Sequence, residues 1–294
     1  MWIALALLTA ICTALRDVAS KHATRRADPV AVALGVAAVP AVAIGAVVLA
    51  RGLPALGPAF WTALAVSGGI NALATPLLVL ALQRSDLSLV APVTSLTPLF
   101  MLATGAVVLG ELPGPLGIAG VAVIVAGAYL LSVSEVRAGP LAPFRVLVRD
   151  PGARTMLVVA FLYSISAAYD KVGTGASDPL FWAAAIHAVT AGFLLPVAFL
   201  RARGTARRRR AVPSRGPRGA APAILFAGIF TAIGAAAQMT ALMMTLAAFV
   251  IAVKRTSTLF GVLLGHALFR EENVRERLVG AAVMLAGFLM ITLS

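Results

Sequence analysis

Seven ionisable side chains fall where the surrounding sequence offers them no water: Arg16, Asp17, Lys21, Asp170, Lys171, Lys254 and Arg255 all lie within or at the end of long apolar runs. A charge at the centre of a spanning helix costs roughly 2.5–3.5 kcal/mol on insertion scales, so each must face a partner or a water-filled space. The chemistry open to such groups is binding of a charged solute, neutralisation of one another, or movement of a proton. Lys254 and Arg255 stand about two helical turns into their run, too deep for easy snorkelling. One or both could face a central cavity and bind an anionic group; the alternative is a structural pair with a carboxylate on another helix, Asp170 or Asp17. Asp17 and Lys21 have the i,i+4 spacing of a same-face ion pair, which is preferred over a cavity carboxylate that exchanges a proton with substrate. Lys21, near its helix end, is read as snorkelling to the interface. Arg16 stands beside them as a coupling or gating candidate. Asp170 could be a proton or cation site, or pair at the helix end with Lys171 or Arg255.

Uncharged polar groups at depth extend the set. Asn71, Gln238 and His187 could donate to a substrate or merely bond between helices for modest stability. His187 could titrate near neutral pH, but a lone histidine is more often an inter-helix hydrogen-bonder. Tyr169, next to Asp170, joins the substrate-contacting candidates. Trp182 and Tyr163 could wall a cavity, although packing roles are favoured. Glu111 and Glu271 end two runs and read as a gate or a helix-turn device, the turn being preferred.

The elements that must position these groups are membrane helices. The chain of 294 residues is 61% hydrophobic with a mean hydropathy of +0.98, and only 12% of residues are charged. Charge-free stretches of about 18–25 residues match the ~30 Å hydrocarbon core. They run over roughly 2–20, 29–50, 59–82, 87–110, 114–133, 154–173, 179–200, 220–245, 247–269 and 276–293. Asp28-Pro29 and Asp178-Pro179 supply helix N-caps followed by proline in the first turn. Residues Met1 to Ala14 lack a basic flank and a small-residue cleavage site, so they read as the first spanning helix rather than a signal peptide. Cys12 is the single cysteine, which excludes an intrachain disulfide and a Cys-based metal cluster.

Repetition organises the ten runs. At a shift of 160 residues, Ala81/Ala241, Leu99/Leu259, Phe100/Phe260, Glu111/Glu271, Gly120/Gly280 and Gly127/Gly287 coincide; at 150, Lys21/Lys171, Thr24/Thr174, Asp28/Asp178 and Pro29/Pro179 do. The longer Arg-rich loop, 201–219, accounts for the change of offset. The expected fold is all-α: ten transmembrane helices as two inverted five-helix repeats, 1–135 and 154–294, joined by a basic connecting loop at 136–153. Five is odd, so the second copy enters the membrane the other way up, as alternating access requires. The loops after the odd-numbered helices hold eighteen arginines and those after the even-numbered ones only Arg51, which places the odd loops in the cytoplasm and both termini outside. The net charge of +13 therefore reports topology and not nucleic-acid binding, and the run Arg207 to Arg210 reads as an anchor on anionic headgroups.

The segment Val253-Lys254-Arg255-Thr256-Ser257-Thr258-Leu259-Phe260, continuing through Gly265 to Glu271, resembles the ninth helix of EamA-type drug/metabolite transporters. Thr94-Ser95-Leu96-Thr97-Pro98-Leu99-Phe100 through Glu111 looks like its fourth-helix counterpart. The resemblance covers essentially the whole chain and implies a ten-helix secondary carrier, commonly an exporter of metabolites, amino acids or drugs. Small multidrug antiporters of that superfamily use a helix-1 glutamate for proton exchange, and Asp17 lies nearer its helix end than that role prefers. Relatives are usually drawn with cytoplasmic termini, so the arginine count opposes the resemblance on orientation.

No P-loop, GxSxG, HExxH or Cys/His metal spacing is present. The expectation is a non-enzymatic secondary active transporter of a bacterial inner membrane, without cofactor or metal, as monomer or homodimer. It would export small organic metabolites or amino acids by alternating access, with or without proton coupling. The positive sum of the buried charges tilts the substrate toward anionic or zwitterionic solutes. The rivals are a flippase for a lipid-linked headgroup and an intramembrane transferase, for which the scattered His22, His187 and His266 supply no constellation.

Overall fold

A computed structural model describes residues 1–84, 93–133, 150–208, 219–260 and 274–294. Ten α-helices lie in these residues: α1 (Trp2–Thr24), α2 (Pro29–Arg51), α3 (Ala59–Arg84), α4 (Thr97–Leu109), α5 (Pro115–Val133), α6 (Pro151–Gly175), α7 (Pro179–Arg208), α8 (Ala221–Leu242), α9 (Ala247–Lys254) and α10 (Val274–Thr292). Among the described residues there is no strand. Helices α1, α2, α6, α7 and α8 are each long and apolar enough to cross a membrane, where a helix satisfies its own backbone polar groups. Outward-facing positions carry large apolar side chains, such as Val42, Leu49 and Val107, as a hydrocarbon solvent demands.

The caps start the helices where the sequence places them. Asp28 Oδ1 accepts from Val30 N at 2.9 Å, and Asp178 Oδ1 from Leu180 N at 2.8 Å. Helix α6 begins at Pro151, three residues before the expected start, because Asp150 accepts from Ala153 N at 2.7 Å in the same arrangement.

The helices associate in cross-chain pairs: α5 with α10, α3 with α6, α1 with α8, α2 with α7, and α4 with both α6 and α9. With lipid on the outside, close packing and interhelical hydrogen bonds must hold such pairs, and small residues permit it. A Cβ added at Gly287 would stand 2.6 Å from Ile124 N and 2.7 Å from Gly120 O; one at Gly127 would stand 2.6 Å from Met284 N. The two backbones therefore touch along α5 and α10. The core beneath Trp182 and Phe60 is otherwise rich in alanine, including Ala6, Ala63, Ala168, Ala183 and Ala241.

Of the expected fourth and ninth runs, 87–110 and 247–269, the described residues are 93–110 and 247–260, and within these the α-helical bonding is not continuous. The α-helical bonding is interrupted at Ser95-Leu96 before α4 and again at Arg255-Thr256 after α9, positions 160 residues apart in sequence. There the backbone tightens to i→i−3 bonds, with Leu96 and Arg255 still in the right-handed helical conformation, and helix resumes over 257–260. At the first break Pro98 has no N–H to return to Thr94 O, and Thr97 Oγ1 donates there instead at 2.7 Å. At the second, Thr256 Oγ1 donates to Val253 O at 2.7 Å, the local competition by which hydroxyl side chains weaken a helix interior. The Arg207–Arg210 side chains, Gly265, His266, Glu271 and most of the basic connecting loop at 136–153 lie outside the residues whose side chains are described.

Candidate functional site

A polar zipper joins α3 to α6. Ser67, Asn71 and Thr75 recur every fourth residue on one face of α3, and Tyr163, Ser166 and Asp170 at three- and four-residue intervals on α6. Ser67 Oγ donates to Asp170 Oδ1 at 2.7 Å and lies 2.9 Å from Ser166 Oγ; Asn71 Nδ2 donates to Ser166 Oγ at 2.8 Å. Thr75, whose Oγ1 donates to Asn71 O at 2.7 Å, lies near the Tyr163 hydroxyl at the far end. Asp170 is buried and takes its second donor from Trp182 Nε1, at 3.1 Å on the same Oδ1. The expected pairing of Asp170 with Lys171 or Arg255 does not form: both bonds come from neutral donors. The nearest opposing charge in reach is Lys254.

Lys254 and Arg255 follow α9 directly into its break. Lys254 Nζ donates to Gln238 Oε1 on α8 at 2.7 Å. Arg255 Nη2 donates to Thr97 Oγ1 at 2.7 Å, so the break after α9 is bonded to the break before α4. Arg255 Nε is buried without a hydrogen-bond partner, although a buried guanidinium normally uses its donors. The anticipated structural pairs with Asp170 or Asp17 are therefore not contacts for either cation, though both carboxylates lie within electrostatic reach of Lys254, and Asp17 within reach of Arg255.

On α1, Arg16 Nε and Nη2 grip Asp17 Oδ1 at 2.9 and 2.7 Å. The bonds to Asp17 come from its neighbour, whereas the i,i+4 spacing points to Lys21. Arg16 also lies within electrostatic reach of Tyr163, Lys254, Arg255 and His187. His187 Nδ1 is 2.8 Å from Ala183 O. A carbonyl only accepts, so Nδ1 carries the hydrogen and Nε2 is left as an acceptor.

Six helices, α1, α3, α6, α7, α8 and α9, thus bring Arg16, Asp17, Asp170, Lys254 and Arg255 into one neighbourhood, with Asn71, Gln238, His187 and Tyr163 between them. Three cations face two carboxylates. Among the described members of the cluster, the buried donor without a hydrogen-bond partner is Arg255 Nε. Such a cluster has the chemistry to bind and orient an anionic or zwitterionic solute.

Two aromatic candidates pack in the core, the role preferred for Trp182 from the sequence. Trp182 is fully enclosed, pressed against Gly173 and edge-on to Phe60 at 5.7 Å. It backs Asp170 and walls no cavity. Tyr169 packs against the hydrophobic core around Trp182. Ser67, Ser166 and Thr75 are polar members that the sequence analysis leaves out; their signal is the four-residue repeat on α3 facing a matching one on α6.

Lys171 points away from this cluster. It pairs with Glu111 in the turn between α4 and α5 and donates to Thr245 O at 2.6 Å; Glu111 Oε2 accepts from Ala247 N at 2.9 Å. Glu111 is thus more than a turn residue, because it caps α9.

The family model described as the EamA-like transporter family matches residues 1–133 and 150–293. No curated protein matches. Among solved structures, the crystal structure of a protein with 18% sequence identity aligns with a TM-score of 0.79, covering 99% of this chain and 96% of that one. That likeness is one of fold.

Proposed function

The chain belongs to the EamA-like transporter family, a multi-pass membrane protein of the drug/metabolite transporter type, and from that premise we propose that it is a secondary active transporter exporting small organic metabolites or amino acids by alternating access. The observation that carries this reading is the bond from Arg255 to Thr97 between two helix breaks, with Arg255 Nε left unpartnered beside it. Broken helices in carriers place backbone and side-chain polar groups at a midplane substrate site. Arg255 is the proposed ligand for a carboxylate or phosphate, Lys254 and Gln238 its neighbours, and Asn71 and His187 the polar wall.

The inverted two-half arrangement is supported by the helix pairing. Raising every helix number by five, cyclically, turns α1–α8 into α6–α3 and returns α2–α7, α4–α9 and α5–α10 to themselves. A rocking motion of one half against the other then exposes the site to each side in turn. Asp170 is the proposed proton-carrying group, because it is a buried carboxylate held only by neutral donors, with Lys254 as the charge to which it is coupled. The arginine-rich odd loops are assigned to the cytoplasm of a bacterial inner membrane, so a reporter fused at Ser294 signals from outside.

The flippase alternative rests on a shallow crevice of about 250 Å³ between α3 and α7, lined by Trp61, Leu64, Ala65, Gly69, Val189 and Phe193. Its lining offers no charged group to a headgroup, and the cationic cluster is not part of it. The test is flux of a panel of anionic, zwitterionic and cationic metabolites into proteoliposomes with an imposed pH gradient, beside translocation of a labelled isoprenoid lipid. Saturable movement of an anionic or zwitterionic solute is expected. Movement of the lipid alone overturns the reading.

A further inference from the structure

We propose that Glu111 and Lys171 form a latch that closes one end of the bundle and, through α9, positions the Lys254–Arg255 pair; the inference rests on the carrier reading above.

The latch joins three segments that are remote in sequence. Gly110, in the left-handed conformation at φ 67°, ends α4 and turns the chain into Glu111. One carboxylate oxygen of Glu111 takes the Lys171 ammonium from the last turns of α6, and the other takes Ala247 N at the start of α9. The same ammonium donates to Thr245 O in the connection between α8 and α9. The N-cap residue of α9, Leu246, has no side chain that can accept from the exposed amides, so the carboxylate stands in for the missing cap and meets the positive end of the helix.

These contacts all lie at the end of the bundle where the even-numbered connections gather. There Gly57 N, in the connection between α2 and α3, also donates to Ala176 O between α6 and α7 at 2.7 Å. The other end of α9 carries Lys254 and Arg255. Its eight residues form a rod of about 12 Å, and its Phe249 sits against Gly117 of α5. A short helix pinned at its first amide and bearing the cationic pair at its last turn transmits any release of the pin to the site. Both latch side chains are partly buried, at 17% and 19% exposure, where a charge-assisted bond is stronger than on an open surface.

The test uses the full-length protein with Cys12→Ala, a Thr75→Cys reporter within the polar cluster, and a membrane-impermeant maleimide applied to either face of oriented vesicles. Lys171→Gln and Glu111→Gln are each expected to raise reporter labelling from the even-loop face by roughly tenfold, the population shift from losing one strong hydrogen-bonded pair. Labelling from the opposite face is expected to fall or stay constant, and the melting temperature in detergent to change by a few degrees at most. Lys171→Gln leaves the Glu111 cap on α9 in place and carries the test if Glu111→Gln does not insert. Unchanged labelling in the variants, or an equal rise from both faces, overturns the latch and leaves the carrier reading standing. A reporter in the unmutated latch background that reacts from neither face overturns the central cavity, and the carrier reading with it.

Discussion

Arg255 Nη2 meets Thr97 Oγ1 at 2.7 Å, and each residue stands at an interruption of its own helix. A charge at this depth is costly unless it faces a partner, and Thr97 supplies one. The guanidinium donates to the Thr97 hydroxyl, which itself donates to Thr94 O where Pro98 has no N–H to offer. The proposed affinity for an anion rests on Nε, which is buried and has no hydrogen-bond partner.

Replacing Arg255 separates charge from fork. Arg255→Ala is expected to reduce substrate-stimulated flux by about 100-fold, from loss of a buried charge-assisted contact of about 3 kcal/mol. Arg255→Lys keeps the charge but loses the planar donors, and recovers less than about a tenth of the wild-type rate. Initial-rate assays in proteoliposomes with the two variants check the order wild type, lysine, alanine.

Asp170→Asn preserves an acceptor for Ser67 and Trp182 and removes the charge. The variant is expected to fold and to exchange substrate, while its net flux stops responding to an imposed pH gradient. In the wild type, acid on the outer side accelerates export, since the proton on Asp170 moves inward as substrate moves out. Comparing flux with and without the gradient reads this directly. A variant that remains fully gradient-driven removes Asp170 from coupling.

The glycine seam between α5 and α10 sets a stability prediction. Gly287→Val drives a branched side chain into the Gly120 and Ile124 backbone, which cannot swing aside as a side chain would, and is expected to cost about 1–3 kcal/mol or more. Gly192→Ala on α7 meets nothing within 4 Å and is expected to be neutral. Thermal melting of the purified variants in detergent distinguishes them.

Gly173 couples packing to the site. Its missing Cβ leaves the space that Trp182 fills, with ring atoms at 2.1–2.3 Å from where a Cβ would stand. Gly173→Ala should displace the indole, break its 3.1 Å bond to Asp170 and shift tryptophan emission. The gradient response of flux is then weakened while binding at Arg255 persists.

Much of the frame was legible because hydrocarbon imposes simple rules. Long apolar runs, Asp-Pro starts and charge-free lengths place most helix ends to within a few residues, though not the start of α4, the end of α7 or the end of α9, and the same Asp-Pro logic at Asp150-Pro151 places the start of α6. What the sequence hid depends on partners far apart along the chain. Lys171 and Glu111 are separated by sixty positions, and no spacing rule links an ammonium on α6 to a carboxylate in the α4–α5 turn. The break at Arg255-Thr256 has neither glycine nor proline to announce it. For Trp182 the sequence allows a cavity wall or, preferably, a packing role, because an aromatic at depth serves either purpose; its contact with Gly173 decides for packing, and only the packed structure brings those two residues together.

The most direct measurement is solute counterflow: proteoliposomes preloaded with an unlabelled anionic or zwitterionic metabolite, diluted into a trace of the same labelled compound. An alternating-access carrier with its site at Arg255 gives transient accumulation of label above equilibrium, and Arg255→Ala abolishes it. Label that equilibrates without overshoot or saturation, or an overshoot untouched by Arg255→Ala, contradicts the account.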